Sequence, residues 1–234
     1  MISARGIQAR IGSSEVLKGI DVDVKAGELL AVIGANGAGK TSLLRVLSNL
    51  LPVQGGEIIF AGQPTARRSA HDLARSGLIH VPQGRQIVPS LSVRDNLLLG
   101  THTLGGSSSD RAARLEREFD RFPVLRDRAS VAGSSLSGGE QQMLAVSRGL
   151  MMNPKVLMLD EPSLGLAPQV VKTILTALRS LADEGLAVIL VEQVAALALQ
   201  VADHAILLRN GESVLKGPVA AFSDNQALVD NYLS

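Results

Sequence analysis

Leu29-Leu30-Ala31-Val32-Ile33-Gly34-Ala35-Asn36-Gly37-Ala38-Gly39-Lys40-Thr41-Ser42 leads from an apolar run through a glycine-rich turn into Lys40 to Leu50, where apolar residues recur at helical spacing. Glycine permits backbone angles closed to other residues. Gly34, Gly37 and Gly39 can therefore turn successive N–H groups, those of Ala35, Asn36 and Ala38 among them, toward one concavity. The helix behind adds its positive N-terminal end, so the concavity suits a triphosphate. Lys40 supplies a point charge for the outer phosphates, the Thr41 hydroxyl can ligate Mg²⁺, and Ser42 extends the phosphate-binding set. A strand, this loop and a helix, in that order, are the context a phosphate-binding P-loop requires.

Working outward, Val156-Leu157-Met158-Leu159-Asp160-Glu161 reads as a second apolar strand ending in two carboxylates, placed by a parallel sheet beside the P-loop. Asp160 is expected to hold Mg²⁺, and Glu161 to polarise the attacking water as general base. The competing use of the two acids is to cap the helix expected from Pro168 to Ala182. Leu29 to Ile33 and Ala187 to Val191 match the length and β-branched content of strands buried on both faces, and they alternate with helical patterns at Gly138 to Met152 and Ala195 to Val201. This alternation predicts an α/β layered fold. Ile2 to Ala9 and Ile20 to Val24 alternate in and out, and Glu57 to Phe60 follows a Gly55-Gly56 turn, which predicts a small antiparallel sheet sharing one core with the parallel one. Between Gln83 and Met152 the strand pattern gives way to helical stretches at Val93 to Leu99, Asp110 to Arg121 and Gly138 to Met152, with Gly105 to Ser109 as a connecting loop. The expected organisation is a single domain over residues 1–234, its core formed by 1–83 and 153–234 and a helical lobe inserted at 84–152.

Composition narrows the function. The 23 basic and 22 acidic residues leave a net charge of +1, which favours neither nucleic acid nor anionic lipid. With one Tyr, four Phe and no Trp, platforms for stacking bases are scarce, and no nucleic-acid partner is expected. Cysteine is absent, which removes disulfides, thiolate nucleophiles and iron–sulfur ligation by this chain. The first ten residues lack a signal-like apolar run, and the longest apolar stretches fall well short of the ~20 residues of a membrane-spanning helix, so a soluble chain is expected. His71, His80, His102 and His204 show no paired spacing suggestive of a metal site.

Leu136-Ser137-Gly138-Gly139-Glu140-Gln141-Gln142 matches the signature of ATP-binding-cassette (ABC) proteins, and with the P-loop and the carboxylate strand the resemblance extends over the whole chain. It implies a P-loop NTPase core of the RecA-like kind, an antiparallel β subdomain, the inserted helical lobe, and hydrolysis of ATP with Mg²⁺. It also implies that two subunits sandwich ATP, the P-loop of one facing Ser137, Gly138, Gly139 and Glu140 of the other. Here the serine is a helix cap and the glycines leave the backbone free to approach an anion. Gln83, in Val81-Pro82-Gln83-Gly84-Arg85, stands where the family places a glutamine that touches magnesium and the attacking water. The nearby Ile87, Val88 and Leu91 fit either a membrane partner or the core of the lobe.

Departures from the family pattern point further. Ile11 replaces an adenine-stacking aromatic, leaving base contact to Ile11 and Val16. Gln193 takes the place of a histidine and can hydrogen-bond the γ-phosphate without titrating. Ala167, in Ser163-Leu164-Gly165-Leu166-Ala167-Pro168, replaces an aspartate. In these features the chain resembles the second ATPase subunit of importers of branched-chain amino acids. Importers of urea or short-chain amides look similar, and a soluble ABC ATPase acting on a cytosolic partner is the alternative of another class. The resemblance implies a peripheral position at the cytoplasmic face of the membrane, transmembrane permease subunits, a second ATPase subunit as heterodimer or a self-dimer, and a periplasmic or extracellular solute-binding protein.

Overall fold

The computed structural model describes residues 1–101 and 107–223. Strands β1 (Ile2–Ile11) and β2 (Ser14–Val24) form an antiparallel hairpin turning at Gly12, whose φ is 60°. Ile2, Ala4, Ile7 and Ala9 on one strand and Leu17, Ile20, Val22 and Val24 on the other are buried, while their neighbours meet water, as a sheet packed on one face requires. Strand β3 (Leu29–Ile33) then delivers the glycine-rich loop to α1 (Lys40–Leu47). Strands β4 (Gly55–Phe60) and β5 (Gln63–Pro64) complete a four-stranded sheet of order β2-β1-β4-β5.

After α2 (Ala70–Arg75) comes β6 (Leu78–Val81), followed by a helical lobe of α3 (Val93–Leu99), α4 (Ser108–Arg121), α5 (Pro123–Asp127) and α6 (Gly138–Leu150). The chain returns through β7 (Val156–Asp160), α7 (Pro168–Asp183), β8 (Ala187–Glu192), α8 (Ala195–Leu199), β9 (His204–Arg209), β10 (Glu212–Pro218) and α9 (Val219–Ser223). The second sheet has the order β10-β9-β3-β8-β7-β6, parallel except for β10. Among the described residues, no helix is long and apolar enough to cross a membrane.

Two expectations need correcting, and one needs extending. The antiparallel and parallel sheets do share one core, and the parallel sheet has a second core on its other face. Leu30, Val32, Met158, Ile189 and Ile206 pack with α1 and the antiparallel sheet, whereas Leu29, Ala31, Ile33, Leu157 and Leu190 pack with α6, α7 and the lobe. Successive side chains of a strand point to opposite faces, and both faces here are covered. Ser107 to Ser109 are not a loop. Ser107 caps α4 through a capping box with Asp110, at 3.1 Å and 3.0 Å, a Ser-x-x-acid signal that the serine-rich composition masked. Gly105, Gly106 and His102 lie outside the described residues.

Gly55-Gly56 is likewise no turn. Both glycines lie within β4, beside a register shift of β1 between Arg5 and Gln8. Gly56 has φ 90°, and a Cβ there would stand 2.4 Å from the Arg5 carbonyl oxygen and 2.5 Å from that of Gly6. Backbone cannot yield as a flexible side chain can. Gly56→Ala is therefore expected to destabilise the protein by on the order of 2 kcal/mol or more, read as a lower denaturation midpoint in urea with an unchanged slope.

Candidate nucleotide site

The glycine-rich loop is held by close approaches that exclude side chains. A Cβ on Gly34 would stand 2.4 Å from the Leu208 carbonyl oxygen, and one on Gly39 2.8 Å from that of Val16. Gly39, at φ 108°, precedes α1, which has neither a side-chain cap nor an acid in its first turn. The positive end of α1 is thus left to a ligand. Asn36, Gly37, Gly39, Lys40, Thr41 and Ser42, with Val16, Gln83 and Glu161, line a cavity of about 450 Å³. Gly34, Ala35 and Ala38 shape the loop from behind. Ile11, 48% exposed at the end of β1, lies outside that lining.

Lys40 is buried, and its ammonium donates to the carbonyls of Gly34 at 2.7 Å and Ala35 at 3.1 Å. It also pairs with Glu161 Oε1 at 3.1 Å. The other carboxylate oxygen of Glu161 accepts from Gln83 Nε2 at 3.0 Å. Lys40, Glu161 and Gln83 therefore form one chain of contacts across the cavity, although β3 and β7 are not neighbours: β8 runs between them. Glu161 follows β7 at φ 47°, a left-handed conformation costing a non-glycine residue about 1–2 kcal/mol. The helix after it has Ala167 at its N-cap and no side-chain cap, so neither Asp160 nor Glu161 serves that purpose.

Asp160 is 3% exposed, and burial pushes its carboxyl above the ordinary carboxylate range, against the opposing effects of a Thr41 hydrogen bond and of Lys40. Its Oδ1 has no hydrogen-bond partner. A buried, unsatisfied carboxylate oxygen beside a hydroxyl is the donor set a magnesium ion uses when phosphate and water supply its remaining ligands. Among the described residues, no cluster of three or more His, Asp or Glu side chains could hold a metal on its own.

Other expected residues stand apart from this cavity. Ser137 is the N-cap of α6: its Oγ accepts from the Glu140 N–H at 3.3 Å, and the Glu140 carboxylate accepts from the Ser137 N–H at 2.7 Å, a bond that holds Glu140 below the usual carboxylate range. The expected freedom of Gly138 and Gly139 needs qualification. A Cβ on Gly138 would displace the Arg85 guanidinium, 2.8 Å away, and one on Gly139 would crowd Val170 at 2.8 Å, so both glycines also have close neighbours inside the chain. Gln193 is exposed and lines a second cavity, of about 690 Å³, whose wall also includes Glu161, Ser163, Leu164, Glu192 and Val194. Ile87, Val88 and Leu91 are half-buried.

Two groups had no role assigned from sequence. Arg85 donates to Gln141 Oε1 at 3.0 Å, and Arg148 to the Gln86 carbonyl at 2.7 Å, tying the turn after Gln83 to α6. Arg85 and Gln86 are both left-handed, at φ 63° and 46°. Glu192 receives both the N–H and the hydroxyl of Ser163. The available signal for Glu192 was an ionisable residue at the end of an otherwise apolar strand.

A glycine-rich loop between a strand and a helix, an adjacent buried carboxylate with an unpartnered oxygen and a second carboxylate paired with the loop lysine make up the arrangement of a P-loop nucleotide-hydrolysing protein. The chain matches the family described as ABC transporter over residues 17–164, and it belongs to that family as an ATP-hydrolysing subunit. It is 38% identical over 233 residues to the high-affinity branched-chain amino acid transport ATP-binding protein BraG of Pseudomonas aeruginosa, covering 100% of this chain and 99% of that one. It is 32% identical over 216 residues to the probable branched-chain amino acid transport ATP-binding protein LivF of Archaeoglobus fulgidus, covering 91% of each. The fold is that of a solved ATP-binding subunit of an ABC transporter, with a TM-score of 0.86 and 24% identity over 97% of this chain and 94% of that one.

Because the folded carboxyl of Asp160 lies above its unfolded value, its ionised form withdraws stability at neutral pH, and that cost fades as pH falls through the raised value. Asp160→Asn is therefore expected to raise the melting temperature of the nucleotide-free protein at pH 7 by a few degrees, corresponding to about 1–2 kcal/mol. The gain over wild type should shrink in acid, as calorimetry across pH can check.

Proposed function

We propose that this chain is the ATP-hydrolysing motor subunit of an importer of branched-chain amino acids. The observation that carries this reading is the end-to-end likeness to BraG, which leaves almost none of either chain unmatched. In the proposed cycle, the triphosphate enters the loop of Gly34 to Gly39, and Lys40 turns from the Gly34 and Ala35 carbonyls toward the outer phosphates. Glu161, released from Lys40, accepts the proton of the attacking water. Gln83, bonded to Glu161, is placed to register whether the terminal phosphate is present. Gln193 offers that phosphate an amide hydrogen bond. Ile11 and Val16 offer the base apolar contact without a stacking ring.

Thr41, Asp160 and Gln83 are the residues we assign to Mg²⁺, which when bound would neutralise charge developing on the phosphates. Ser137, Gly138 and Gly139 do not line the chain's own cavity, which fits a site completed by another ATPase subunit, either a second copy or a non-identical partner. We place the chain peripherally, at the cytoplasmic face of a membrane, working with permease subunits and a solute-binding protein.

Glu161→Gln should keep ATP binding while lowering hydrolysis by about 10²–10⁴-fold, measured by nucleotide binding and phosphate release on one preparation. In cells lacking the chain, uptake of labelled leucine, isoleucine and valine should fall and be restored by the wild-type gene but not by Glu161→Gln. Unchanged amino acid uptake with lost urea or amide uptake would move the reading to those solutes.

A further inference from the structure

Strand β8 is apolar from Ala187 to Val191 and ends in Glu192, a carboxylate only 2% exposed. Packing gives no reason for a charge there. Both of its oxygens are occupied by one residue: the Ser163 N–H donates to Oε1 at 3.1 Å and the Ser163 hydroxyl to Oε2 at 2.7 Å. One position earlier on β8, the Val191 carbonyl accepts the N–H of Glu161 at 3.0 Å. Two consecutive residues at the end of β8 therefore grip the chain on both sides of Pro162, which has no N–H of its own. Between the grips lies Glu161 in its left-handed conformation, its side chain held by Lys40 and Gln83.

We infer that Glu192 and Ser163 form a buried latch that positions Glu161 for hydrolysis, which makes Glu192 a positioning residue of the reaction. The inference rests on the reading of Glu161 as general base. A left-handed non-glycine residue persists only where its surroundings over-determine it, and the paired bonds from Ser163, with the one from Glu161 itself, supply that constraint. The burial that makes an ionised Glu192 costly also makes its bonds strong, since no water competes for them. Gln193 follows Glu192 directly, so a pull on the Gln193 amide reaches the latch through one peptide unit. Contact with the terminal phosphate and placement of the base are then mechanically joined.

The test measures MgATP hydrolysis by the purified full-length chain. Glu192→Gln should lower kcat about 10- to 100-fold while KM for MgATP stays within about twofold, because misplacing a catalytic group by a fraction of an ångström costs rate rather than binding. Ser163→Ala keeps the backbone N–H bond and should cost less, about 3- to 10-fold. In a Glu161→Gln background neither change should lower the residual rate further, since the group being positioned is gone. An unchanged kcat in both single variants, a rise in KM alone, or an equal fold loss in the Glu161→Gln background would each overturn the latch. Should Glu192→Gln not fold, Ser163→Ala and its combination with Glu161→Gln decide the matter. Failure of the underlying reading is separately visible, as wild-type hydrolysis by Glu161→Gln alone.

Discussion

The ammonium of Lys40 is almost wholly removed from water, and much of the surrounding architecture serves to give it acceptors. Its three N–H groups meet two carbonyls of its own loop and the carboxylate of Glu161. Bringing an ammonium and a carboxylate out of water costs several kcal/mol per ion, only partly offset by their attraction. In the cycle proposed above the pair is provisional, and each group has a better partner to find when a polyphosphate and water enter. The loop carbonyls can reach Lys40 only because Gly34 lets the backbone pass against Leu208, so the placement of β9 beside β3 is bound up with the state of one side chain.

Stability has to come from elsewhere, and it comes from aliphatic side chains on both faces of the parallel sheet. The five residues of β3 and the five of β7 are all buried, each strand dividing its side chains between the two cores. A sheet covered on both sides has little freedom to bend. It therefore makes a stiff frame whose ends carry the loop glycines, Asp160, Glu161, Gln83 and Gln193.

The parts of this site that were legible in the sequence are those whose chemistry is contiguous. Glycine spacing, a lysine and a hydroxyl form a loop by local geometry alone, and Asp160-Glu161 stands out because two charges end an apolar run. Contacts between distant segments were not legible. Nothing in the residues around Arg85 announces that its guanidinium fills the space beside Gly138, 53 positions later in the chain. The partnership of Glu192 with Ser163 is not legible either, because pairing across 29 residues depends on which strand lies beside which. Alternation announces the antiparallel sheet, but a glycine pair suits a turn and a bulge alike, and only the register of β1 against β4 separates them. Short α5, five residues beginning with Pro123, is too brief to show a period.

The intervening position of β8 has a consequence of its own. Hydrogen-bonded strands lie about 4.8 Å apart, so β3 and β7 are separated by about 10 Å, and the middle strand acts as a spacer of fixed width between the loop and the two carboxylates. That gauge sets the gap that Lys40 and Glu161 bridge at 3.1 Å. The spacer is also keyed: a slip of one residue in β8 would put Gln193 or Val191 in the place of Glu192 and take the carboxylate away from Ser163. Insertions and deletions in the approach to β8 would therefore be tolerated far less readily than those in the outer hairpin, where the same slip would disturb packing but leave the gap unchanged.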